Sequence, residues 1–348
     1  METVTTPAPS QEAVHPALLK PLAEADIPVL RDAYRHMLFI RRIEEAAAKG
    51  YGQGKIGGFL HLVIGQESIC VGSALALRSS DYMVTSYREH GHFMAKAGSS
   101  LDSGKAVLAE LWAKDTGCSR GLGGSMHMFS AAHRFLGGYG IVGAQVPLGT
   151  GLAFAHKYRE DGGICVAYMG DGAVNQGQVY ESFNMAALWQ LPILYVIENN
   201  RYAMGTAQAR AAAGQRLCER GTAYGIPGHQ VDGMDVVEVH RVARDLVEQV
   251  RSGTGPVILE AMTYRYRGHS MSDPAKYRTK EEVQEMRERH DPIEGLRKRI
   301  ADAGVAGDED FKRIDKEIRD VVNEAARFAQ DSPEPDPAEL WTDILIEA

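Results

Sequence analysis

Two short apolar runs set the frame of this chain. Ile164-Cys-Val-Ala-Tyr-Met169 and Ile193-Leu-Tyr-Val-Ile-Glu198 each have the length and composition of a buried strand. Between them, Gln178 to Gln190 carries Val179, Phe183, Ala186 and Ala187 at helical spacing. Strand, helix, strand is a βαβ unit, so the two strands are expected to run parallel. Upstream, residues 23–50 read as one amphipathic helix striped by Leu30, Tyr34, Met37, Leu38 and Ile40, broken by glycines at 52, 54, 57 and 58. Gly65 to Leu77 reads as a helix, and residues 81–86 as a strand. The glycine-dense span Gly117 to Gly151 reads as loop and helix ends, with Gly149 to Tyr158 a small-residue helix packing on the sheet. Downstream, Pro256 to Met262 is a further strand, and the polar stretch 264–280 reads as an exposed loop. Residues 281–331 read as charged helices, and Pro333, Pro335 and Pro337 as a linker to a short helix, Ala338 to Glu347.

The alternation of strands and helices predicts an α/β fold, a mostly parallel sheet with helices on both faces and a helical C-terminal extension. The predicted divisions are an N-terminal arm over 1–22, one domain over 23–331, and a linker with short helix over 332–348. The 348 residues are 44% hydrophobic, enough for a sizeable core. A net charge of −8 argues against a nucleic-acid partner, and no run of 18 apolar residues suggests a membrane span. Residues 1–22 are rich in Pro, Ala, Thr and Glu and carry no apolar core of a signal peptide; the first arginine is Arg31. Cys70, Cys118, Cys165 and Cys218 are widely spaced and form no CxxC, which fits reduced structural thiols in a bacterial cytoplasm.

Candidate chemistry gathers where the βαβ strands end. Gly170-Asp171-Gly172 follows the first strand and Asn199-Asn200 the second, so Asp171 and Asn200 are expected together at the strands' carboxyl ends, where open α/β sheets bind ligands. A carboxylate and an amide oxygen there suit a hard cation such as Mg²⁺, which completes its shell with phosphate oxygens and water. GDG alone equally describes a tight turn in a chain with 37 glycines; the ordered set of strand, GDG, helix, strand and NN carries the signal. Tyr87-Arg88 follows the strand 81–86, where an Arg fork can clamp pyrophosphate. His269, flanked by Arg265, Arg267, Ser270 and Ser272, suits an anion, and the loop that holds it is expected to be mobile until one binds. His61 follows glycines and either enters a cleft or sits in the core. His90 and His92 show no third metal ligand, and His127, between two methionines, reads as packing. Gly138-Tyr-Gly140-Ile-Val-Gly143-Ala matches a dinucleotide fingerprint, but residues 132–137 do not read as a strand and Asp161, the acidic residue about 20 positions on, follows a helix-like segment.

The segments Tyr87-Arg-Glu-His-Gly91, Gly123-Gly-Ser-Met-His-Met128, Gly137 to Pro147, Gly170 to Gly177, Glu198 to Gly205 and Tyr264 to Pro274 resemble the alpha subunits of thiamine-dependent 2-oxo-acid dehydrogenase components, closest to the pyruvate-acting, acetyl-transferring members. The resemblance covers roughly residues 25 to 330 and implies thiamine diphosphate and Mg²⁺ as cofactors. It implies that Asp171, the Asn200 side chain and the Tyr202 carbonyl hold Mg²⁺. Tyr87, Arg88 and His269 would contact pyrophosphate, Gly140 and Val142 the aminopyrimidine through their backbone, and Gly172 and Ala173 phosphate through N–H groups. Ser130 would be a further cofactor contact. His61 would face the substrate, making His61 and His269 the candidate catalytic side chains. Arg267 stands where mitochondrial members often have His. The implied reaction decarboxylates pyruvate and passes the two-carbon unit, oxidised, to a lipoyl group on a separate acyltransferase. The carboxylate that activates the aminopyrimidine is implied to come from a beta subunit, in an assembly of two alpha and two beta chains. Branched-chain 2-oxo acids or acetoin as substrates, and a non-catalytic regulatory subunit, are the competing readings.

Overall fold

The computed structural model describes residues 27–342 and 344; the predicted arm over 1–22 and the end of the predicted terminal helix lie outside them. In chain order the helices are α1 Ile27–Gly52, α2 Glu67–Ala74, α3 His90–Ala97, α4 Leu101–Leu111, α5 Gln145–Arg159, α6 Gly177–Leu188, α7 Gln208–Ala211, α8 Val236–Gln249, α9 Lys280–His290, α10 Pro292–Asp302 and α11 Asp308–Asp331. The strands are β1 Tyr82–Ser86, β2 Phe135–Tyr139, β3 Cys165–Gly170, β4 Ile193–Asn199, β5 Tyr202–Ala203, β6 Thr206–Ala207, β7 Gly228–Asp232 and β8 Val257–Met262. Six strands form one sheet in the order β2-β1-β3-β4-β8-β7, and every neighbouring pair in it is parallel. β5 and β6 form a small separate hairpin.

Both faces of the sheet are covered, and the strands show it residue by residue. On β3 and β4, Val166, Tyr168, Leu194 and Val196 face one core, which α1, α2, α3, α4, α8, α10 and α11 also build. The alternate residues Cys165, Ala167, Met169, Ile193, Tyr195 and Ile197 face a second core with Val146 and Ala153 of α5 and Val179, Phe183 and Ala186 of α6. The period-2 alternation is hidden in the sequence because both faces are apolar, which is what a doubly covered parallel sheet requires.

The βαβ reading at 164–198 holds in full: β3 and β4 pair in parallel register from Cys165 opposite Ile193 to Gly170 opposite Glu198. Other elements differ. The helix expected over 65–77 spans only Glu67–Ala74, because Gly65 has φ +101 and lies tight against the Tyr264 carbonyl. The strand β7 was not anticipated; its GHQVD is polar because it is an exposed edge. Nor was β2, and residues 135–139 do form a strand ahead of the Gly138–Gly143 fingerprint, contrary to the reading of that segment. Two glycines within β2 dilute its strand signal. The fingerprint still lacks its acidic partner: Asp161 precedes β3, at the amino end of the sheet, and bonds His156 Nδ1 at 2.7 Å. The stretch 264–280 is a loop, as expected, with Arg267, Ser272, Pro274, Lys276 and Thr279 exposed, but its first part is not. Tyr264, Arg265, Tyr266 and Ser270 are all buried, and it runs as a strap along residues 60–64, with Tyr266 N donating to Ile64 O at 3.1 Å and Met271 N to Leu60 O at 2.9 Å. In place of the helix expected from Ala338 there is a short 3₁₀ turn, Pro337–Trp341. The charged helices over 281–331 are α9, α10 and α11, and α11 packs on α1 and α4 through Phe311, Ile318, Val322 and Ala325.

Phe183 is fully buried, its ring 4.9 Å from that of Tyr195 across the α6–sheet contact. Phe183→Ala is expected to lower unfolding stability by about 3–5 kcal/mol, read by denaturant unfolding; a loss under about 1 kcal/mol would contradict this packing.

Candidate functional site

The parallel sheet sends the carboxyl ends of five strands to one rim. Tyr87 and Arg88 follow β1, Gly140 follows β2, Asp171 follows β3, Asn200 follows β4 and Arg265 lies three residues beyond β8. After β4 the backbone turns sharply: Arg201 and Met204 take left-handed φ values of 72 and 52, which aims the Tyr202 carbonyl back at the rim. The two asparagines divide the work. Asn199 is structural, its Nδ2 donating to Glu260 Oε1 at 2.7 Å and its Oδ1 accepting from Arg201 N at 3.1 Å. Asn200 faces the site, with Nδ2 donating to Gln66 Oε1 at 3.2 Å and Oδ1 accepting from Arg265 Nη1 at 3.0 Å. The same Nη1 donates to Tyr202 O at 2.8 Å. Asn200 Oδ1 and the Tyr202 carbonyl therefore converge on one point, and a positive group already stands there.

Asp171 is almost fully buried, and burial pushes its carboxyl up to about 6, while N–H groups of Asp171 and Asn200 and the Arg265 charge pull the other way. A carboxylate so poorly solvated favours a cation beside it. At Gly172 an added Cβ would collide with Ala203 Cβ, so that backbone stays bare. The donor set of carboxylate, amide oxygen and carbonyl, with open backbone beside it, fits Mg²⁺ and a phosphate.

Next to this seat lies a buried cluster of a guanidinium and two imidazoles. Arg88 is buried, and burial first, then the Arg265 charge, lower it to about 10. Its Nη1 donates to Leu62 O at 2.6 Å and its Nη2 to His269 O at 2.8 Å, so it ties the strap to residue 62. His61, Tyr87 and His269 cluster, with ring centroids 4.6 Å apart for His61–Tyr87, 5.2 Å for His61–His269 and 5.6 Å for Tyr87–His269. Burial and then Arg88 pull His61 down to about 2 and His269 to about 4. Both imidazoles are neutral at physiological pH, and His61 Nδ1 is buried without a partner.

Of the sequence candidates, the structure brings Tyr87, Arg88, Asp171, Asn200, Tyr202, His61 and His269 to this rim. Gly172 and Ala173 follow Asp171 directly. Gly140 and Val142 lie after β2, with the Val142 carbonyl accepting from Gln178 Nε2 at 3.1 Å. Ser130 is not among them. It bridges to Phe135 at the amino end of β2, five residues before Gly140, and bonds His133 Nδ1 at 2.8 Å. The cluster of Arg265, Arg267 and Ser270 does not form one open anion site: Arg265 turns to the carbonyl oxygens, Arg267 is exposed and Ser270 is buried with its Oγ 2.9 Å from Ser272 Oγ. His127 is not packed; it is exposed, its Nδ1 3.1 Å from Gly138 O and its ring beside Gly140. His92 does meet two further ligand-type groups, Cys70 and Glu198. Cys70 Sγ is nearly equidistant from both ring nitrogens, at 3.7 and 3.8 Å, so neither nitrogen lone pair aims at it. His92 Nε2 lies 3.1 Å from Glu198 Oε1, without hydrogen-bond geometry.

Several supporting residues left no local signal. Glu110 receives the N–H groups of Ser119, Gly121, Gly123 and Gly124 at 2.7 to 3.0 Å, folding the glycine loop around one carboxylate. Glu44 holds His90 Nδ1 at 2.6 Å, His90 Nε2 lies 3.0 Å from Ser125 Oγ, and that oxygen accepts from His61 N at 3.1 Å. A relay of buried groups thus fixes the His61 backbone.

Because the folded state binds protons on His61 and His269 more weakly than the unfolded state, their contribution to stability is full above the usual pKa of 6.5 and is lost as pH falls towards about 4. Ring-proton NMR of the cofactor-free chain is expected to show no titration of either histidine between pH 5.5 and 8; a midpoint inside that interval would contradict the electropositive, desolvated pocket.

Residues 35–338 match the family described as Dehydrogenase E1 component. The chain is 60% identical over 314 residues to a Rhizobium meliloti protein named pyruvate dehydrogenase E1 component subunit alpha, covering 90% of this chain and 89% of that one. It is 56% identical over 323 residues to the Zymomonas mobilis protein of the same name, covering 92% and 90%. A mitochondrial relative of that name from Dictyostelium discoideum is 44% identical over 315 residues, covering 90% and 81%. The chain belongs to the dehydrogenase E1 component family.

Proposed function

We propose that the chain is the alpha subunit of a pyruvate dehydrogenase of the acetyl-transferring type, working with thiamine diphosphate and Mg²⁺ in a bacterial cytoplasm. The observation that carries this is the gathering of Asp171, Asn200 Oδ1 and the Tyr202 carbonyl at the rim that also holds Arg88, whose guanidinium bonds only backbone carbonyls, and the clustered His61 and His269. The names of relatives 50 to 60% identical over nine-tenths of the chain favour pyruvate as the substrate.

In this reading the three oxygens hold Mg²⁺ against the pyrophosphate, and Tyr87, Arg88 and His269 hold the pyrophosphate itself. Gly172 and Ala173 give N–H groups to phosphate oxygens, and the backbone at Gly140 and Val142 meets the aminopyrimidine. When bound, thiamine diphosphate supplies the nucleophilic carbon and the electron sink for decarboxylation. The chain's part is placement and charge. His61, neutral and with an unpartnered Nδ1, would hydrogen-bond the substrate's oxo oxygen and stabilise charge developing there. The carboxylate that activates the aminopyrimidine comes from a beta subunit, in a heterotetramer of two alpha and two beta chains. Ile141 and Val142, 75% and 43% exposed beside Gly140, leave an apolar rim for that partner to close. The two-carbon product passes to the lipoyl group of an acyltransferase.

Asp171→Ala is expected to abolish Mg²⁺-dependent thiamine diphosphate binding by calorimetry while circular dichroism stays unchanged; wild-type affinity would remove Asp171 from the site. The chain alone is expected to decarboxylate pyruvate at under one hundredth of the rate reached with its beta partner, using an artificial electron acceptor. Full turnover by the lone chain would refute the shared site, and faster turnover of branched-chain 2-oxo acids than of pyruvate would refute the substrate.

A further inference from the structure

Among the described residues Arg265 is the largest of the fully buried side chains, and every hydrogen bond of its guanidinium goes to a neutral group, with the carboxylates of Asp171 and Asp273 acting on it only through space. Nη1 donates to Asn200 Oδ1 at 3.0 Å and to Tyr202 O at 2.8 Å; Nη2 donates to Met204 O at 2.8 Å and to Tyr277 Oη at 2.7 Å. Its Nε has no partner. A buried cation is ordinarily paired with a carboxylate, because neutral dipoles compensate its lost hydration less well. Here three carbonyl-type oxygens are gathered around it as they would be around a metal ion. Two of those oxygens are the ones assigned above to Mg²⁺.

We propose that Arg265 is a resident cation of the metal seat: it holds Asn200 Oδ1 and the Tyr202 carbonyl in place before the divalent ion arrives, and must withdraw Nη1 for the ion to enter. This rests on the assignment of Asp171, Asn200 and Tyr202 to Mg²⁺. The geometry of competition is direct. Mg²⁺ sits about 2.0–2.1 Å from its oxygens; Nη1, 3.0 and 2.8 Å from the same two oxygens, takes one lone pair of each, and the second lone pair of Asn200 Oδ1 accepts from Tyr202 N at 3.4 Å. Two positive groups sharing those lone pairs also repel each other. Arg265 has somewhere to go: Nη2 stays anchored on Met204 O and on Tyr277, whose hydroxyl donates to Asp273 Oδ2 at 2.7 Å, while the released Nη1 can turn towards an incoming pyrophosphate. The strap residue thus keeps the seat formed and closed to stray cations until ion and anion come together.

The test is Mn²⁺ binding by electron paramagnetic resonance, in the enzyme assembled with its beta chain and stripped of metal and cofactor. Without thiamine diphosphate, Arg265→Met and Arg265→Gln are both expected to bind Mn²⁺ at least tenfold more tightly than wild type, and Arg265→Lys to lie between. If the Met variant does not fold, the Gln variant decides. Equal or weaker Mn²⁺ binding in a folded neutral variant would overturn the proposal, because it would mean that Arg265 only orients the ligands. Asp171→Ala separates the two ideas. If it leaves Mn²⁺ binding of the neutral variants intact, the metal seat itself is wrong; if it removes that binding, the seat stands and the Arg265 result judges the inference alone.

Discussion

The parallel pairing of β3 with β4 is the constraint on which the rest depends. Gly170 stands opposite Glu198, so the residues that follow, Asp171 and Asn200, leave the sheet side by side. Because all six strands run the same way, the segments after β1, β2 and β8 arrive at the same rim. No local feature of any one segment produces this. It follows from right-handed crossovers that put helices on both faces, which in turn require each strand to be apolar on both sides.

Around that rim the molecule buries positive charge without bonding it directly to a carboxylate. Arg88 and Arg265 lower one another's neighbours, and the two imidazoles beside them give up their protons. Such an arrangement costs folding free energy in the empty chain. An anion of pyrophosphate type would relieve it, so part of the ligand's binding energy is already stored as unsatisfied charge. Asp171, raised to about 6 by burial, is the complementary defect, and a divalent ion would relieve that one.

The loops that bring these groups together are held by carboxylates as well as by the apolar packing of Met128, Tyr264 and Tyr266. Glu110 gathers four backbone N–H groups of the glycine loop. Glu89 takes the Met128 N–H at 2.8 Å. Glu282 accepts from the hydroxyls of Tyr202 and Tyr264 at 3.0 and 2.6 Å, while Arg278 lies 5.0 Å over the Tyr264 ring. At Arg265 and Ser270 polar sequence means paired and buried, whereas Arg267, Ser272 and Lys276 of the same stretch are solvated.

The sequence by itself determined the α/β class, the central βαβ unit and the pairing of Asp171 with Asn200, because apolar runs of strand length and glycine punctuation are local properties of the chain. It also singled out Tyr87, Arg88, His61 and His269, the first two because they follow a legible strand. Only the tertiary structure decided what each polar group does. Arg265 looked like an anion ligand and turned out to be seated on carbonyl oxygens; Ser130 looked like a site residue and lies at the other end of β2; β2 and β7 were invisible because glycines and an exposed edge erase the hydrophobic signal. Gln66, Glu110 and Glu198 were not legible at all. Gln66 bonds Asn200, 134 residues away, and Glu198 stands beside His92, over 100 residues away; a contact across such a separation leaves no mark in the local pattern.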